Sequence, residues 1–115
     1  MTMLTAAADF TALATAPRVS TPVLGIRYRT AAPATSTSTL RIGIAASKKI
    51  GNAVTRNRIR RRLKSILREL AANVAPGTDV LISVRAAAAT ASSATLRAAL
   101  TECLVRAQLI PTVRA

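Results

Sequence analysis

The sequence predicts one α+β domain, a single sheet carrying a few helices. Three segments alternate apolar and polar residues as half-buried strands do, and they are interleaved with segments whose apolar residues recur at helical spacing. At 115 residues the chain has the length for one core, burying roughly two-thirds of the surface its unfolded form exposes. No internal repeat and no second apolar cluster interrupts it, so the domain is expected to span residues 1–115.

The elements follow in order. Leu4, Ala8 and Leu13 around Phe10 predict a short N-terminal helix, weakened by its threonines and ended by Pro17. From Val23 to Arg29 the pattern alternates, with Leu24, Ile26 and Tyr28 on one face and Val23, Gly25, Arg27 and Arg29 on the other, which predicts a strand. Ala31 to Thr39, Ala, Thr and Ser around Pro33, reads as an exposed connector. Leu40 to Ala46 alternates again and predicts a second strand. After a loop through Lys48, Lys49, Gly51 and Asn52 comes a helix whose stripe of Ile59, Leu63, Ile66, Leu67 and Leu70 faces a core. Pro76 and Gly77 are expected to stop it. Asp79 to Arg85 predicts a strand burying Val80, Ile82 and Val84. A closing helix starts near Ser92, buries Leu96, Leu100, Cys103, Leu104 and Ala107, and ends before Pro111.

Charge is the strongest functional signal. Fourteen Arg and three Lys against four acids give a formal net charge of +13, so the expected partner is a polyanion, nucleic acid first. Eight of these cations lie in the eighteen residues from Ser47 to Lys64. At about 100° per residue, Asn57, Arg60, Arg61, Lys64 and Arg68 share one face of the central helix, and Arg58 and Arg62 share another. Helices favour acids near their N-termini, yet this one opens with Arg56, Arg58 and Arg60. An anion bound there would relieve the conflict. Without Trp or Phe to insert between lipids, the helix is not expected to serve a membrane. Cys103 is the sole cysteine, and no basic leader or bilayer-length apolar run is present, so the expected location is the cytoplasm.

Catalytic chemistry is sparse. With no histidine, one cysteine in a predicted core and four acids dispersed in sequence, no metal cluster, nucleophilic triad or acid-base pair is evident, although Glu69 and Asp79 could approach each other in space. No Walker loop or dinucleotide fingerprint appears.

Ser47-Lys48-Lys49, Gly51-Asn52-Ala53-Val54, Arg56-Asn57-Arg58 and Arg60-Arg61 together resemble the signature of the bacterial ribonuclease P protein component. The similarity runs in order through nearly the whole chain. It implies a single-domain α/β sandwich of about four strands and three helices, ribosomal protein S5 domain 2-like, with a left-handed βαβ crossover. It implies that the chain is the protein subunit of a ribonucleoprotein endonuclease. A catalytic RNA removes the 5′ leader from precursor tRNA there, and the protein contributes no catalytic residue. Its implied partners are that RNA and the leader, with no obligatory protein partner. Mg is expected to serve the RNA, with no cofactor bound by the protein alone. Residues matching the signature, Lys48, Lys49, Asn52, Arg56, Asn57, Arg58, Arg60, Arg61 and Lys64, would contact the ribozyme RNA and leader phosphates. Phe10, Ile26 and Tyr28 match positions lining a leader-binding cleft, where bases would stack on aromatic faces.

The chain departs from the family pattern near its start, where Ala14 occupies a position often aromatic and no Lys or Arg precedes Arg18. Phe10 and Tyr28 also read as ordinary core aromatics. Gly51 and Asn52 read either as a plain turn or as backbone presented to phosphate. A ribosomal or other structural RNA-binding protein with no part in cleavage is the alternative function.

Overall fold

The computed structural model describes residues 2–3, 13–30, 41–74 and 78–109. They form one mixed sheet of five strands: β1 (Thr2–Met3), β2 (Arg18–Ser20), β3 (Leu24–Thr30), β4 (Arg41–Ala45) and β5 (Thr78–Val84), in the order β1-β4-β5-β3-β2. Two helices pack on it, α1 (Ala53–Leu70) and α2 (Ser93–Arg106). The expected helix around Phe10 and the connector from Ala31 to Thr39 lie outside the described residues, apart from Leu13, which is buried.

Register explains the core. Across β2, β3, β5 and β4, Val19, Ile26, Ile82 and Ile44 stand in one row, and Tyr28, Val80 and Ile42 in the next. Side chains in one row share a face, and this face packs with Ile59, Leu63, Ile66 and Leu67 of α1 and Leu96, Leu100, Cys103 and Leu104 of α2 into a single cluster. Both apolar stripes read from helical spacing are therefore the buried ones. The parallel pair β4 and β5 is joined through α1, the crossover of a βαβ unit.

Three features depart from sequence expectation, the first being β1, which pairs with β4 and makes five strands where about four were expected. The hairpin partner β2 is only three residues long, too short to show alternation. Thr21 makes its turn: the hydroxyl accepts from the backbone N–H groups of Val23 (3.3 Å) and Leu24 (3.2 Å) and donates to the Leu24 carbonyl (2.8 Å). Helix α1 ends at Leu70, well before Pro76 and Gly77, which lie outside the described residues. Its last turn tightens into a 3-10 turn over Ala71–Asn73, closed by Val74 N–H to Ala71 O at 3.2 Å.

The other face of the sheet carries Arg18, Arg27, Arg29, Arg41 and Asp79. Arg29, Asp79 and Arg41 sit directly opposite one another on three neighbouring strands. Arg41 holds Asp79 with two bonds, Nε to Oδ1 at 2.8 Å and Nη2 to Oδ2 at 2.7 Å, and Arg29 Nε reaches Oδ2 at 2.8 Å. Burial alone would raise the Asp79 pKa, but the hydrogen bonds from Arg41 and Arg29, with their charges, outweigh it and hold the carboxyl below its ordinary value.

Cys103 is buried against the same core, and burial, helped by the neighbouring Glu102 charge, pushes its thiol up to about 11. It is a packing residue.

Candidate nucleic-acid interface

The start of α1 is built for the sharp entry that its sequence requires. Lys48–Ile50 form a 3-10 turn, and Gly51 follows at φ 154°, a conformation disfavoured for residues with a Cβ. A Cβ there would also lie 3.2 Å from the Thr55 side chain. Asn52 is the N-cap, its Oδ1 accepting from Thr55 N–H at 2.9 Å. The side-chain oxygen of Asn52 thus has a structural task, and Lys48 and Lys49 are exposed just before it.

No acid occupies the first turn of α1. Arg56 lies there, and by helical rotation it shares the sector of Ile59 and Leu63, beyond the end of the apolar layer. It is half-buried, and its Nε is enclosed without a hydrogen-bond partner among the described residues. A buried unsatisfied donor beside the positive end of a helix is unfavourable for the free protein.

Further along, the structure joins the two cationic faces read from the sequence. Arg58, Arg61, Arg62, Ser65 and Arg68 line one open concavity of about 580 Å³. The small Ser65 lies between the arginines and leaves the hollow. Across from it runs the 3-10 turn Ala86–Thr90, whose carbonyls and those just beyond meet two rim arginines at long range: Arg58 Nη2 to Ala89 O at 3.5 Å and Arg62 Nη1 to Ala91 O at 3.4 Å. Arg60 and Lys64 do not line the concavity, and Arg60 donates to Asn57 Oδ1 at 3.5 Å. Arg62 and Arg68 are not among the signature matches. Their spacing from Arg58 and Arg61, three or four residues at a time, is the sequence signal for them.

Glu69 and Asp79 do not pair with a common partner among the described residues. Glu69, the one acid of α1, is taken by Arg97 of α2, while Asp79 is held by Arg29 and Arg41. Among the described residues no group of three or more His, Cys, Asp or Glu could hold a metal ion, and no helix is long and apolar enough to cross a membrane.

Of the residues expected to line a leader cleft, Ile26 and Tyr28 share one face of β3. Phe10 lies outside the described residues. Ile26 is 1% exposed, so its side chain is core and offers no surface, because the face it shares with Leu24 is the one the helices cover. Tyr28, on that same face nearer the end of β3, is half-buried against the core.

Anions that bind these cations in the native state are expected to stabilise the fold by mass action, about 2.7 kcal/mol at about a hundred times their dissociation constant. Millimolar phosphate at matched ionic strength should raise the melting temperature followed by circular dichroism. A temperature that does not move would argue against specific anion sites.

Among the described residues, a small mixed sheet backed by two helices, one of them densely cationic, defines a basic α+β protein. The chain belongs to the ribonuclease P family, whose model, described as Ribonuclease P, matches residues 2–108. Among curated relatives, the ribonuclease P protein component of Clavibacter michiganensis is 54% identical over 44 residues, 38% of this chain and 39% of that protein. That of Beutenbergia cavernae is 37% identical over 75 residues, 62% of this chain and 63% of the relative. The Rhodococcus opacus protein is 44% identical over 73 residues, 64% of this chain and 58% of the relative. These matches span 39% to 63% of the relatives' own length. The RNase P protein of Staphylococcus aureus superposes with a TM-score of 0.84 at 22% identity, covering 96% of this chain and 98% of that one. That of Thermotoga maritima gives 0.74 at 21% identity, covering 85% and 90%. At these identities the structures establish the fold.

Proposed function

We propose that this chain is the protein subunit of ribonuclease P, assisting a catalytic RNA in endonucleolytic removal of the 5′ leader from precursor tRNA in the cytoplasm. The observation that carries this reading is the match of the family model to residues 2–108, together with the cationic signature displayed on α1. Lys48, Lys49, Arg56, Arg58, Arg60, Arg61 and Lys64 neutralise phosphates where ribozyme and leader would otherwise repel each other, releasing their counterions. Asn52 and Asn57 stand beside them on the same helix entry. The attacking group and its Mg are assigned to the RNA in this reading, and the buried carboxylate of Asp79 is occupied by two guanidiniums.

In this reading Tyr28, with Phe10, stacks leader bases, while Ile26 stays in the core. The assembled holoenzyme is expected to bind precursor tRNA more tightly than mature tRNA, which lacks only the leader. Replacing Tyr28 by Ala should cost about 1 to 3 kcal/mol for the precursor and almost nothing for mature tRNA. Tyr28→Phe keeps the ring and should keep the affinity. Tyr28→Leu keeps bulk at the edge of the core without a π-face and should not. Equal losses for both tRNAs, or full affinity in the leucine variant, would show that the ring only packs.

A further inference from the structure

The geometry points to Thr90 as a phosphorylation site, whose phosphate is held within the chain by Arg58 and Arg62 and so withdraws Arg58 from the RNA. The regulatory consequence rests on the ribonuclease P reading, whereas the contact between phosphate and arginines stands without it.

Thr90 ends the 3-10 turn Ala86–Thr90 and is exposed. The carbonyl on either side of it already meets a guanidinium of α1, Ala89 O at 3.5 Å from Arg58 Nη2 and Ala91 O at 3.4 Å from Arg62 Nη1. Two cations are thus stationed against the residues just before and just after it. Neither forms an ion pair among the described residues, and the bonds they make here are long and go to neutral acceptors. The Thr90 hydroxyl has no partner among the described residues, whereas Ser92 Oγ caps α2, accepting from Thr95 N–H at 3.1 Å and donating to Thr95 Oγ1 at 3.0 Å. Ser93 and Thr95 lie within α2. A single 3-10 turn opens to a modifying enzyme at less cost than a helix does.

In that modification the Thr90 Oγ1 attacks the γ-phosphorus of ATP on a protein kinase. The new O–P bond forms as the bond to ADP breaks, and the hydroxyl proton passes to a base of the kinase. The product carries about −1.5 to −2 charge near neutral pH and three strong acceptor oxygens. Charge-assisted hydrogen bonds are about twice as strong as neutral ones, so both arginines exchange their carbonyls for the phosphate. Arg58 then no longer neutralises a phosphate of the RNA.

The test compares the full chain with the same chain carrying phosphothreonine at position 90. Without RNA, a phosphorus NMR titration should place the second ionisation of the phosphate at least about one unit below its usual value of about 6. Arg58→Gln combined with Arg62→Gln should return it there, and an unshifted ionisation would overturn the inference. With a bacterial ribonuclease P RNA, the log-log salt slope of the phosphorylated chain should be lower by about 0.7 to 0.9, the share of one phosphate contact. Thr90→Ala should bind as the parent does, because the unmodified hydroxyl takes no part. Phosphoserine at position 83, exposed on the sheet face away from the helices, supplies the same charge elsewhere; an equal loss of slope there would reduce the effect to net charge and overturn the inference. Melting curves by circular dichroism confirm that each form folds. Mass spectrometry of the protein from its own cells, on the tryptic peptide 86–97 released after Arg85 and Arg97, should find phosphate on Thr90. Phosphate confined to Ser92, Ser93 or Thr95, or absent from the peptide, would overturn the modification. Failure of the parent chain to bind the RNA would overturn the ribonuclease P reading and the regulatory consequence, while a shifted ionisation would still establish the contact.

Discussion

Replacing Arg56, Arg58 and Arg61 together by glutamine is expected to weaken binding to the ribozyme RNA and to lower its log-log salt slope by about 2.1 to 2.7. The size follows from three phosphates that the variant leaves un-neutralised, so that fewer counterions are released on binding. These residues differ in setting. Arg58 and Arg61 are exposed and line the hollow, whereas Arg56 is half-buried in the first turn with its Nε unpartnered among the described residues. Removing Arg56 takes a cation from the positive end of a helix, worth about 0.3 to 1 kcal/mol to the free protein. The triple variant should therefore fold at least as well as the parent while binding worse. That opposition separates a functional cation from a structural one. A triple variant with an unchanged slope would make the three arginines a solvated surface.

Replacing Asp79 by Asn is expected to destabilise the fold by about 3 kcal/mol, near the low end for breaking a buried pair because both guanidiniums keep about a third of their surface in water. Asn retains the shape but supplies one acceptor oxygen where the carboxylate supplied two, leaving part of the Arg29 and Arg41 donors and all of their charge uncompensated on the sheet. The pH dependence gives an independent check. Because the folded-state pKa lies below the ordinary value of 3.8, the stability it contributes is fully present above that value and is lost as pH falls toward the folded pKa. The gap between parent and variant in denaturant unfolding should be constant near neutrality and close only in acid. A gap that does not narrow as the pH falls below 3.8, or that is absent at pH 7, would remove the ion cluster from the account of stability.

Legibility followed the range of the physics involved. Strands β3, β4 and β5 are visible in the sequence because alternation is local, and the buried stripes of α1 and α2 because a period of 3.6 is local too. The sequence groups Leu24, Ile26 and Tyr28 on one face, but only the placement of α1 and α2 decides that this face is the covered one, which buries Ile26. The ion cluster on the opposite face depends on register between residues 38 and 50 positions apart, and alternation within one strand carries no register. The approach of Glu69 to Asp79 was open for the same reason; each acid has instead found arginine. The contacts of Arg58 and Arg62 with the Ala89 and Ala91 carbonyls need that segment brought against α1, a tertiary event. What the sequence showed of function was denser than what it showed of fold, since the cationic signature is contiguous and its meaning is electrostatic.

The most direct measurement adds the chain to a bacterial ribonuclease P RNA and precursor tRNA at low magnesium, where the RNA alone cleaves poorly, and follows release of the 5′ leader. The account predicts that cleavage is restored at the mature 5′ end and that the triple arginine variant restores it less. No restoration at any protein concentration, from a chain that still binds the RNA, would contradict it and leave a structural RNA-binding protein in its place.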